Sequence, residues 1–253
     1  FAPVYYQDGA DEIIYIDSVA SLYGRNNLRE IVSRAAENIF IPLTVGGGIR
    51  TIDDIYELLR AGADKVAINT AAIKNPSLIS EASKKFGSQC IVVSIQARKT
   101  QNASYECLTD NAREKTNVDV FEWVKKIVDL GAGEILLTSV DQEGTGKGYD
   151  VSLTSKVSQM VPIPVITCGG AGNKDHVRLV IHEGKADAVS MASILHYGVL
   201  DLMTDESLYK NDEGNIEFLK QSQNGLYRNR IESVSIREIK SYLLNNNIQT
   251  RNL

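Results

Sequence analysis

Residues suited to anion chemistry gather where short apolar runs end in glycine. Ile41 to Val45 stops at Gly46-Gly47-Gly48; Ile52, Ile55, Leu58 and Leu59 follow at helical spacing, Gly62 closes that helix, and a second apolar run covers Val66 to Ile68. Glycines directly after a buried strand let backbone N–H groups approach an anion without interference from a Cβ. Asn69 and Thr70, at the end of the next strand, add donors on the same rim. A tight strand-to-helix turn with no ligand is the plain alternative for one such loop. The pattern returns at residues 163–194: Ile-Pro, an apolar run, Gly169, Gly170 and Gly172, a helix, Gly184 and a strand leading to Ser193. The preceding segments match as well, and Gly9 and Gly131, like Gly47 and Gly169, lie 122 residues apart. Equal offsets indicate a duplicated half built of strand–helix units. Two equivalent glycine loops across one rim suit a long ligand with an anionic group, most simply phosphate, at each end.

The elements that position these loops alternate along the chain. Residues 1–9 read as the end of a helix, Glu12 to Ile16 as a strand ending at Asp17, and residues 27–37 as a helix. Pro76 starts a helix to Phe86, Cys90 to Ile95 is a strand with Gln96 at its C-terminal end, and polar residues 97–116 form a long loop or hairpin. A helix over 120–130, a strand over 134–140 leading to Asp141, the second glycine segment and a last helix over 235–244 complete the order. Strands alternating with helices over short connections predict a parallel sheet wrapped by helices. Seven strands are counted, whereas a (β/α)8 barrel closes with eight and a duplication requires an even number. The missing strand is expected before Phe1. The whole chain, 1–253, is read as one α/β domain with a polar insertion at about 201–232, either a surface excursion or a lid or partner surface.

A balance of 27 Lys+Arg against 32 Asp+Glu, net charge −5, does not favour nucleic acid as a partner, although a pocket of backbone donors still admits phosphate. Cys90, Cys107 and Cys168 have no metal-ligand spacing and read as reduced core thiols, which points to the cytoplasm. No run approaches transmembrane length and no basic-then-apolar leader opens the chain, so no membrane partner is expected.

The motifs TVGGGI, GADKVAINTAA, FGSQCIVVSI, GAGEILLTSVD, GTGKGYD and GGAG, in this order, closely resemble the cyclase subunit of imidazole glycerol phosphate synthase over nearly the whole chain. The resemblance implies a (β/α)8 TIM barrel that receives ammonia from a glutaminase docked at its N-terminal face. At the C-terminal face that ammonia would react with a bis-phosphorylated ribulosyl aminoimidazole carboxamide, giving imidazole glycerol phosphate and a purine precursor; no cofactor and no metal is implied. One phosphate would be held by Gly48, Asn69 and Thr70 and the other by Gly144, Gly170, Ala192 and Ser193, with Asp17 and Ser139 lining the substrate site. Glu12, Lys65 and Glu134 match members of the family's ammonia gate, whose fourth member, an arginine, belongs to the first strand. Asp64 matches a residue that contacts the glutaminase. Ordinary ion pairing near strand starts is the alternative for the three gate residues.

Three positions depart from the family's pattern. Gln96 stands where one of two acid–base aspartates is expected, Glu143 replaces an aspartate, and Cys168 replaces a phosphate-site serine. An amide hydrogen-bonds but carries no proton near neutral pH. Three outcomes follow: a working cyclase, a paralogue that relays ammonia to a sugar amidotransferase in surface-polysaccharide biosynthesis, or a stable barrel without activity.

Overall fold

Short strands, most of them buried between the first and last of the series, and joined by amphipathic helices, are arranged as a nearly closed parallel barrel in the computed structural model, which describes residues 1–17, 28–102, 104–202 and 231–251. The order is α1 (Ala2–Gln7), β1 (Ile13–Ile16), α2 (Leu28–Ala36), β2 (Leu43–Gly46), α3 (Ile52–Arg60), β3 (Lys65–Ile68), α4 (Thr70–Lys74) and α5 (Ser77–Phe86). Then come β4 (Ile91–Lys99), β5 (Tyr105–Thr109), β6 (Glu114–Asp119), α6 (Val120–Asp129), β7 (Glu134–Ser139), α7 (Val151–Met160) and β8 (Val165–Cys168). After these, α8 (Lys174–His182), β9 (Ala188–Ser190), α9 (Ser193–Leu202) and α10 (Ile236–Asn245) complete the described residues. Neighbours run β1-β2-β3-β4-β7-β8-β9, all parallel, as the alternation of strands and helices predicts for an α/β (β/α)8 barrel.

Residues 97–116 take the hairpin form of the two expected, with β5 antiparallel to both β4 and β6. As a result Gln96 does not end its strand: β4 continues to Lys99 because β5 supplies partners from Gln96↔Leu108 to Lys99↔Tyr105 beyond most of the barrel. Of the insertion at 201–232, residues 203–230 lie outside the described residues.

Side chains two apart on a strand share a face, and this periodicity divides the core. Val66 and Ile68, Ile91, Val93 and Ile95, and Ile135 and Leu137 pack outward against the helices. The intervening Ala67, Val92, Leu136 and Ile166 form a separate small cluster with Ile14 and Cys168 inside the barrel. On these inward rows Glu12, Lys65 and Glu134 come two residues before the cluster, while Asn69 and Thr138 come two residues after it. Charge therefore collects at one end of the barrel interior and hydrogen-bonding side chains at the other.

The duplication is visible in the turns. Thr51 and Asn173, 122 residues apart, each cap the following helix, accepting from the N–H of Asp54 and of His176. Asp64 and Asp187 each accept a backbone N–H of a strand opening the neighbouring segment, Leu43 at 2.8 Å and Val165 at 2.9 Å.

Candidate functional site

The loops at the C-terminal ends of the strands carry the first predicted rim. Gly47 and Gly48 have φ of 104° and 70°, and Gly169 and Gly170, at the duplicated positions, have 94° and 105°. A Cβ on Gly47 would lie 2.3 Å from the Asp17 carbonyl oxygen, and one on Gly169 would lie 2.9 Å from that of Ser139. Asp17 and Ser139 are themselves 122 apart, so both halves press the same glycine against the end of the preceding strand.

Asp17, Gly48, Asn69, Thr70 and Gln96 line one cavity of about 390 Å³. Its walls also include Arg50, Lys74, Ser94, Asp110 and Asn111, residues that sequence reasoning did not single out. The signal for the last two was a polar Asp-Asn pair at a turn, uninformative until the hairpin brings it over the mouth. Asn69 donates through Nδ2 to Gln96 Oε1 at 3.0 Å and to the Leu108 carbonyl at 3.2 Å, while its own Oδ1 is buried without a partner. Gln96 Oε1 also accepts the N–H of Ala112 at 2.9 Å, and Thr70 Oγ1 accepts that of Asp110 at 3.1 Å. The hairpin tip is thus fastened to both donors of this rim.

The residues of the second predicted group stand at and just beyond the ends of β7, β8 and β9, which neighbour one another in the sheet, and do not line that cavity. Ser139 ends β7 with a buried hydroxyl lacking a partner. Its carbonyl accepts the N–H of Glu143 at 3.0 Å, and burial pushes the Glu143 carboxyl above the usual carboxylate range. Gly144 has a φ of 73° and faces open space, whereas the Gly170 carbonyl accepts the N–H of Gly148 at 2.7 Å. Ala192 and Ser193 stand where β9 passes into α9. Burial raises the Cys168 thiol, against hydrogen bonds with Ser190 and Thr138 that favour the thiolate. All three cysteines are free thiols, and Cys107 is pushed up to about 12 by burial next to Asp119 and Glu106. Among the described residues no cluster of three His, Cys, Asp or Glu could hold a metal, and no helix is long and apolar enough to cross a membrane.

At the other end of the interior, Lys65 Nζ meets Glu12 at 2.9 and 3.0 Å and Glu134 Oε1 at 2.6 Å. Glu134 Oε2 is buried without a partner. Burial opposes the charge on Lys65, but the hydrogen bonds and attraction of the two carboxylates outweigh it and raise its pKa above 10.5. The stability this confers is fully present below 10.5 and is lost as pH rises through the higher folded-state value. Lys65→Met, leaving Glu134 at 17% side-chain exposure without its cation, is expected to cost about 1–3 kcal/mol at pH 7. Denaturant unfolding followed to strongly alkaline pH should show the gap between the two proteins narrowing; a gap independent of pH would mean that the lysine contributes through packing.

Residues 1–201 match the histidine biosynthesis protein family. The imidazole glycerol phosphate synthase subunit HisF of Legionella pneumophila is 63% identical over 172 residues, 68% of this chain and 81% of that protein. The corresponding subunit HisF of Bacillus cereus (strain G9842) is 51% identical over 197 residues, 78% of each chain. Both relatives carry the synthase's name, and neither lends support to the sugar-amidation alternative. A parallel barrel with duplicated glycine turns, the family match and identities of this size together establish that the chain belongs to the histidine biosynthesis protein family, in its branch of imidazole glycerol phosphate synthase cyclase subunits, HisF.

Proposed function

We propose that this subunit closes the imidazole ring by adding ammonia, delivered by a glutaminase partner in the cytoplasm, to a bis-phosphorylated ribulosyl aminoimidazole carboxamide, releasing imidazole glycerol phosphate and a purine precursor. The observation that carries this reading is the repetition of one glycine rim, with the same strand-end contact, 122 residues apart at the mouth of the barrel. Backbone N–H groups and small polar side chains held in this way neutralise a phosphate without a large basic patch. Gly48, Asn69 and Thr70 would hold one end of the substrate and Gly144, Gly170, Ala192 and Ser193 the other, leaving the reacting atoms near Asp17, Ser139 and Glu143. Fixing both ends converts a bimolecular amination into a reaction of neighbouring groups.

Ammonia would enter past Glu12, Lys65 and Glu134, with Lys65 moving aside, and follow the inward row where the Thr44 hydroxyl is buried without a partner. Asp64 would meet the glutaminase with its free carboxylate face, the other oxygen being held by the Leu43 N–H. Proton transfer is the weaker part of this site, because Gln96 only hydrogen-bonds, whereas Glu143 offers a carboxyl, held above the usual carboxylate range by partial desolvation, that can carry a proton.

The test supplies ammonium salt at alkaline pH and the bis-phosphorylated substrate to the isolated chain and follows substrate loss. Turnover without any glutaminase is the expected result. Silence from both the natural chain and Gln96→Asp would remove ring closure as its activity.

A further inference from the structure

We propose that Lys74 and Asp110 act as an exchangeable ion pair selecting for phosphate at the rim of Gly48, Asn69 and Thr70, the arriving phosphate taking Lys74 from Asp110. This rests on the phosphate reading of that rim given above. Both residues line the same cavity as Gly48, Asn69 and Thr70. The Asp110 carboxylate has 17% side-chain exposure and stands 3.5 Å from Lys74 Nζ, whereas Lys74 has 64% exposure. The aspartate has little freedom to withdraw. It is the first of three successive residues with positive φ, Asp110, Asn111 and Ala112 at 50°, 58° and 61°. Its own N–H is bound by Thr70, the Ala112 N–H by Gln96, and the Leu108 carbonyl by Asn69.

A fixed carboxylate beside an anion pocket repels a dianion, and the cation that offsets it is long, flexible and solvated. An exposed pair of this kind contributes little to stability, so it is readily surrendered. The ammonium is a compact charge able to meet phosphate from several directions. Thr70 meanwhile accepts from Asp110 and keeps its hydroxyl proton for a ligand. A dianionic phosphate attracts Lys74 strongly enough to draw it from Asp110; a neutral sugar hydroxyl does not. The hairpin tip therefore filters what enters this end of the site.

The experiment titrates inorganic phosphate into the full chain and reads the backbone amide resonances of Gly48 and Thr70, for the natural protein, Lys74→Met, Asp110→Asn and the double variant. Asparagine accepts the left-handed backbone and keeps the N–H bond to Thr70, so the turn survives. Lys74→Met is expected to weaken phosphate by about tenfold or more, as for loss of a charge-assisted contact. In the Asp110→Asn background the same change should cost clearly more, because Lys74 no longer has to leave a carboxylate to reach the phosphate. A phosphate affinity unchanged in Lys74→Met, or an equal or smaller loss in the Asp110→Asn background, would overturn the exchange while leaving the phosphate rim in place. If these two amides of the natural chain do not respond to phosphate at all, the phosphate reading of the rim fails and the exchange with it.

Discussion

The Gln96→Asp variant is expected to turn over the bis-phosphorylated substrate with ammonium about 10²–10⁴ times faster than the natural chain, the usual contribution of a positioned acid–base group. The amide oxygen of Gln96 lies 3.0 Å from Asn69 Nδ2 and 2.9 Å from the Ala112 N–H, both donors, so the pocket presents to this position what a carboxylate would accept. Removing one methylene draws the acceptor away from the hairpin, and the Ala112 N–H then turns to water. Because Gln96 is only half-buried, that loss should cost about 1 kcal/mol in unfolding free energy. The pH–rate profile supplies a second readout. Aspartate at 96 should add an acidic limb to kcat that the amide cannot produce, since a carboxylate acting as base stops working once it is protonated. Equal rates and superimposed profiles for the two proteins would mean that protons do not pass through position 96. Glu143, raised by burial, would then be the carboxyl to replace next.

The contrast between Gln96 and Glu143 shows where sequence reading reaches its limit. Alternation along a strand is a property of the backbone, so apolar and charged residues at alternate positions could be assigned to faces before any coordinates. Glu12, Lys65 and Glu134 were legible from the family resemblance and from charged strand starts, two of them 122 residues apart, and in the structure the three charges do meet. The glycine turns were legible for a physical reason: a residue that must adopt positive φ against a neighbouring carbonyl leaves a mark in composition. Spacing cannot say which distant segment covers a pocket. The antiparallel hairpin Tyr105–Asp119 carries Asp110 back to Thr70, forty residues away, and nothing periodic in Asp110-Asn111-Ala112 announces it. The same hairpin lengthens β4, so Gln96, expected at a strand end, is instead held within the strand between a barrel residue and a turn.

The glycines of the second rim separate fold from ligand. Gly144→Ala should leave the barrel folded and weaken substrate, whereas Gly170→Ala should damage the barrel itself. At Gly144 an added Cβ meets nothing within 4 Å, so the methyl costs only the left-handed backbone, φ 73°, about 1–2 kcal/mol. At Gly170 the Cβ would sit 2.1 Å from the Gly148 carbonyl oxygen, with φ at 105°. The backbone there cannot yield cheaply, because the Gly148 N–H donates to the Gly170 carbonyl and ties the two loops together at 2.7 Å. Clash, unfavourable φ and a lost buried hydrogen bond should together cost about 3–5 kcal/mol, a large fraction of a domain's net stability. Thermal unfolding should therefore show a small fall for Gly144→Ala and a large one, or no cooperative transition, for Gly170→Ala. The substrate readout runs the other way for interpretation: with its fold intact, Gly144→Ala should raise KM about tenfold or more if the open space beside this glycine is where a phosphate sits, since the methyl fills that space. A Gly144→Ala chain with natural KM and kcat would move the second phosphate away from this loop and leave the Gly170 turn as a device of folding alone.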